Sequence, residues 1–165
     1  MMVTFRRYWP GCGLAALMLF GPQVQAAVTS IKVTVTILAK PSCIINNNNM
    51  IEVNFGSDVM TTRIDGNYKK QPVAYKVECQ NLQNNGMKMQ VQGIGAGFDS
   101  NVLKTNKDGL GIALLYNGSR QPLNRWINFT YPNLPTLEAV PVKQVGVTLN
   151  GGVFSAGATM QVEYQ

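Results

Sequence analysis

A two-residue period is the feature that most restricts what this chain can fold into. Runs that alternate apolar with polar side chains, or that are rich in β-branched residues, occur at 31–38, 51–55, 73–79, 87–91, 110–116, 140–149 and 158–164. No window of useful length carries the i, i+3, i+4 apolar spacing of a helix. Turn-forming clusters separate the runs: the asparagines at 46–49, Asp65-Gly66-Asn67, Asn84-Asn85-Gly86, the stretch 93–97, Asp108-Gly109, Asn117-Gly118-Ser119 and Asn150-Gly151-Gly152. Short strands punctuated this way predict an all-β sandwich. Neither an internal repeat nor a linker divides the chain into two domains.

Composition narrows the chemistry. The 165 residues contain no histidine, which removes Ser-His-Asp and Cys-His hydrolases and nearly all catalytic zinc sites, because each needs an imidazole near its neutral pKa. Charged residues make up 13%, about half the usual share of roughly 25%. The hydrophobic content of 45% is ordinary, so a core is available while Asn, Gln, Ser and Thr supply the wetted surface.

Residues 1–26 read as a secretory signal. Arg6 and Arg7 precede the apolar run 13–21, and Val24-Gln25-Ala26 places small or aliphatic residues where a signal peptidase reads, so cleavage is expected after Ala26. Phe5, Tyr8 and Trp9 do not fit a twin-arginine pattern, and Cys12 precedes the apolar run, which argues against lipidation. The run is too short for a permanent spanning helix. The cations that remain run from Lys32 to Lys143 without clustering, which argues for a solvated surface and against nucleic acid. Two thiols, Cys43 and Cys79, then remain in an exported chain and are expected to pair as a disulfide. On the chain-entropy model that closure stabilises the fold by roughly 3–4 kcal/mol.

Several local patterns invite functional readings and fail. The glycines at 93, 95 and 97 suggest a phosphate-binding turn, but no helix pattern follows, so a wide loop between strands is expected. Asp99 and Asp108 lack an aromatic platform and read as surface acids, not as a sugar-cleaving pair. Asn117-Gly118-Ser119 and Asn128-Phe129-Thr130 match a glycosylation triplet that means nothing in a bacterial export context, the one implied by the resemblance given below. Trp126, beside Phe129 and Tyr131, is expected to serve core or loop packing. No constellation supports an enzyme, a metal site, a cofactor or a small-molecule substrate.

The two ends carry the rest. Ile31, Val33, Val35 and Ile37 alternate with Lys32, Thr34 and Thr36, and the strand they predict is cut off by Ala39-Lys40-Pro41-Ser42-Cys43. Ala158, Met160, Val162 and Tyr164 alternate with Thr159, Gln161, Glu163 and Gln165, so a final strand is expected with one neighbour position open. Periodicity alone also allows the first strand to fold back and pair with the last.

With these elements the chain resembles the pilin subunits of chaperone-usher pili, most of all the minor adaptor subunits of P and type 1 pilus tips. The resemblance rests on the strand before Ala39-Lys40-Pro41-Ser42-Cys43, on Cys79, and on Asn101-Val102-Leu103-Lys104-Thr105 leading to Gly111-Ile112-Ala113-Leu114. It rests also on the ending, where Gly152 stands fourteenth from the end and Tyr164 is penultimate. The resemblance implies an incomplete immunoglobulin-like sandwich lacking its last strand, divided into a signal peptide (1–26), a donor-strand extension (27–40) and a pilin domain (41–165).

In that family a periplasmic chaperone lends a strand to the open groove, and at the outer-membrane usher the extension of the next subunit replaces it. The resemblance therefore makes Ile31, Val33, Val35 and Ile37 donor side chains. It makes Ala158, Met160, Val162 and Tyr164 the groove lining, and the carboxylate of Gln165 the group a chaperone holds. The family's donor-strand glycine falls on Val35, which requires a deeper pocket in the acceptor. The implied function is a structural adaptor, with no catalytic role, in a surface fimbrium alongside other pilins and an adhesin. A shaft subunit or a base or terminator subunit is the alternative, and the chain has no room for an adhesin's additional binding domain.

Overall fold

The computed structural model describes residues 41–165. The signal segment and the proposed donor strand with Ile31, Val33, Val35 and Ile37 lie outside them. Eleven strands are present: β1 (Ser42–Ile45), β2 (Gln71–Pro72), β3 (Val77–Gln80), β4 (Gly86–Gln92), β5 (Gly95–Ala96), β6 (Asp99–Lys104), β7 (Leu110–Tyr116), β8 (Ser119–Gln121), β9 (Ile127–Thr130), β10 (Leu137–Lys143) and β11 (Thr159–Tyr164). The only helical elements among the described residues are single 3-10 turns at Asn46–Asn48 and Thr61–Arg63.

The strands form three sheets. One runs β2-β10-β7-β6-β5, with β8 also pairing β7; another runs β11-β4-β9; β1 and β3 form a separate pair. All the pairings are antiparallel. β7 and β10 pair over seven positions, from Leu137 opposite Tyr116 to Lys143 opposite Leu110. β7 reads Leu-Gly-Ile-Ala-Leu-Leu-Tyr and is buried from Leu110 to Leu115, as expected of a strand covered on both faces. Ile112 and Leu114 pack with Leu103, Leu123 and Ala139. Ala113 and Leu115 pack instead with Val102, Val140 and Val142. Met89, Ile127 and Leu137 form a further cluster joining the six-stranded to the three-stranded sheet. The fold is an all-β sandwich.

Some strand bounds differ from the sequence expectation for local reasons. The run 140–149 ends as a strand at Lys143, because the Gln144 N–H turns to the Gly109 carbonyl (2.8 Å) and Gly146 adopts φ +78°. Residues 51–55 keep their alternation of half-buried and exposed side chains but join no ladder among the described residues. Gly95 and Ala96 are not a wide loop: they pair with β6 across an irregular register. The hairpin between β7 and β8 turns at Asn117 (φ 49°) and Gly118 (φ 77°), the backbone that Asn-Gly favours in a two-residue turn.

Cys43 and Cys79 face each other across β1 and β3 and are bonded, with Cα atoms 4.0 Å apart and a sequence separation of 36. The double substitution Cys43→Ser with Cys79→Ser should lower the unfolding free energy by about 3–4 kcal/mol, read from urea unfolding with the slope fitted separately, since the uncrosslinked unfolded chain exposes more surface.

Candidate functional site

The two larger sheets do not close along their whole length. Between them lies a cavity of about 530 Å³ whose floor is Leu103, Ile112, Leu114, Leu137 and Ala139 from one sheet and Val91 from the other. One wall is the unladdered stretch with Met50, Ile51, Val53 and Phe55. The opposite wall is the approach to β11 and its first two residues, with Phe154, Ser155, Ala156, Ala158, Thr159 and Met160. The Phe55 and Phe154 rings bring the walls together, their centroids 5.9 Å apart.

None of the described lining side chains is charged. Charge sits on the outer face of the three-stranded sheet, where Lys88 pairs with Glu163 (3.1 Å) and lies 4.6 Å from the centroid of the Trp126 ring. Trp126 is thus a partly exposed rim residue, 38% accessible, packed under a lysine. Near the floor, burial and then the neighbouring Tyr116 push the Tyr75 phenol up to about 12; its hydroxyl donates to the Pro135 carbonyl. Asn48, Asn49, Ser155 and Thr159 are the polar members of the described lining, and the rest is apolar. The trough can receive apolar side chains, and its walls can pair with another backbone.

The C-terminal residues singled out in the sequence fall in distinct places. Ala158 and Met160 line the cavity. Val162 packs against the cluster of Met89, Ile127 and Leu137. Tyr164 is 40% accessible, and its hydroxyl donates to the Pro41 carbonyl at 2.8 Å. Gln165 donates its backbone N–H to the Gly86 carbonyl (3.0 Å) and its side-chain amide to the Met87 carbonyl (3.1 Å). The acids lie away from the cavity lining: Asp99 faces Arg120 at 3.6 Å, and Asp108 sits in the turn before β7. Sequence reasoning missed the floor and the 50–55 wall as parts of one site. The unbroken apolar run of β7 was the available signal.

Gly152 has φ +116°, and a Cβ there would stand 3.1 Å from the Lys107 ammonium nitrogen. That backbone region is essentially reserved for glycine. Gly152→Ala should therefore destabilise the domain by about 1–3 kcal/mol, measured by urea unfolding against the wild type.

The fimbrial protein family matches residues 30–165. An uncharacterized fimbrial-like protein of Escherichia coli K12, YfcQ, is 36% identical over 136 residues, covering 79% of this chain and 83% of the relative. A second from the same organism, YfcR, is 31% identical and covers 99% of this chain and 98% of its own length. Among solved structures the P pilus adaptor subunit PapF aligns at TM-score 0.56 and 26% identity, over 74% of this chain and 95% of that one. The P pilus rod subunit PapA aligns at TM-score 0.58 and 20% identity, over 74% and 99%. The sandwich with its open seam is the pilin fold, and the chain belongs to the fimbrial protein family as a pilin subunit.

Proposed function

We propose that the chain is an adaptor pilin, a non-catalytic subunit that links its neighbours in an adhesive surface fibre by exchanging strands. The open apolar groove between the sheets carries this reading. Its uncharged floor and its 50–55 wall, which joins no ladder among the described residues, suit a strand supplied by another chain. Four aliphatic side chains seated in it contribute roughly 6–12 kcal/mol gross at about 1.5–3 each. Each main-chain hydrogen bond adds about 0.5–1.5 kcal/mol.

In this reading Ala158 and Met160 contact the guest strand directly, Val162 and Tyr164 extend the same edge, and the terminal carboxylate at Gln165 is what a periplasmic chaperone grips before the usher exchanges strands. The extension at 27–40, with Ile31, Val33, Val35 and Ile37, fills the groove of a neighbouring pilin. Export through the periplasm and display in a surface fimbrium follow, with an adhesin among the partners. The 26% identity to a pilus adaptor supports the adaptor role, whereas the 20% likeness to a rod subunit speaks for the fold alone.

The test is expression of the chain in a periplasm with and without a pilus chaperone, followed by thermal melting with synthetic donor-strand peptides. Chaperone-dependent yield and a melting temperature raised by at least 10 °C with peptide are expected. Cooperative folding without chaperone and indifference to peptide would mean a self-contained sandwich. Copy number in purified fibres separates the roles: a few per fibre for an adaptor, many for a shaft subunit.

A further inference from the structure

The two walls of the groove are held by different means. The wall that leads into β11 is tied to the turn between β6 and β7. Asn106 grips Ser155 twice: its backbone N–H donates to the Ser155 carbonyl (3.1 Å), and its side-chain Oδ1 accepts from the Ser155 N–H (2.9 Å). Next to it Thr105 bridges Ala156, and the Lys107 ammonium donates to the Gly151 carbonyl at 2.9 Å. The turn is itself fixed, because the Thr105 hydroxyl, in a residue only 4% accessible, donates to the Leu110 carbonyl (2.8 Å) and accepts from the Lys107 N–H (3.1 Å).

The 50–55 wall has a looser attachment. Among the described residues it is held by the Asn46 side-chain amide on the Met50 carbonyl (3.2 Å), by apolar contacts of Val53 and Phe55 with the floor, and by the Phe55 ring against Phe154, all of them side-chain contacts. No backbone hydrogen bond between these residues and the rest of the described chain accompanies them.

We propose that Asn106 is the positioning residue for strand insertion: with Thr105 and Lys107 it holds the 154–156 stretch as a fixed template on which an incoming strand first pairs, and the 50–55 wall closes on that strand afterwards. The inference rests on the strand-exchange reading above. Its physical basis is the cost of ordering a backbone. A wall already ordered in the empty groove removes that cost from the association step. A wall held by side-chain contacts adapts to the guest and adds its hydrogen bonds after docking.

The experiment compares the wild-type chain with Asn106→Ala, Asn106→Asp and Lys107→Met. Amide hydrogen exchange on the empty protein should show the Ser155 N–H protected and the amides of 50–55 exchanging freely, with the Ser155 protection lost in Asn106→Ala and kept in Asn106→Asp, which retains an acceptor oxygen. Stopped-flow binding of a fluorescent peptide of residues 29–40, run also in a Val35→Gly version, should give association about tenfold slower for Asn106→Ala, the effect of one hydrogen bond. Dissociation should change less than twofold, and Lys107→Met should fall between. Wild type that binds neither peptide overturns the strand-exchange reading itself. Wild type that binds, with Asn106→Ala associating at the same rate, overturns the positioning role. So does an Asn106→Ala loss confined to an equal fall in melting temperature of the empty and filled forms, because that is stability alone.

Discussion

Everything in this domain hangs on β7 being buried on both faces. Its ladder with β10 supplies the backbone bonding, and its side chains divide between two apolar clusters, Ala113 and Leu115 on one face, Ile112 and Leu114 on the other. The second face is not packed solid against the three-stranded sheet, since a cavity of about 530 Å³ remains over it. Where cover runs out, Ile112, Leu114 and Ala139 become the floor of a trough. The groove is therefore not an addition to the fold but the part of its core that the described residues leave open. A cavity with such a floor has room for apolar side chains supplied by another chain.

The same shortage explains the character of the walls. A stretch such as 50–55 alternates like a strand, yet without a ladder neighbour among the described residues it holds its place through Val53 and Phe55. The opposite wall is anchored by polar groups outside the groove, at Thr105, Asn106 and Lys107. Polar anchoring is thus kept at the rim, and the lining stays free of charge that an entering apolar side chain would have to desolvate.

Much of this was legible in the sequence where one physical term dominates. β4, β7 and β11 follow from alternation or from an unbroken apolar run, and the Asn117-Gly118 hairpin follows from turn chemistry. The Cys43–Cys79 bond followed from two thiols in an exported chain. Less legible were β6, β8 and β9, where Asp99, Ser119, Arg120 and Asn128 mask the pattern and ladder partners distant in sequence decide the conformation. The glycines around β5 read as loop because glycine has weak strand preference, and pairing with β6 overrides it. Alternation at the C-terminus could not separate Ala158 and Met160, which line the cavity, from Val162, which packs on the Met89 cluster without lining it, since the four apolar positions alternate alike. Nor could any local signal find Asn106, whose role comes from its meeting with Ser155, 49 positions away.

The position of the disulfide has a mechanical meaning. A pull on the chain ahead of Pro41 reaches Cys43 after only Pro41 and Ser42 have been loaded, and passes there through a covalent bond into β3. The whole segment between the two cysteines, including the 50–55 wall, is thereby short-circuited from the line of force. Tension along the polypeptide can strain the β1–β3 pair, but it cannot peel that wall away from whatever strand it covers.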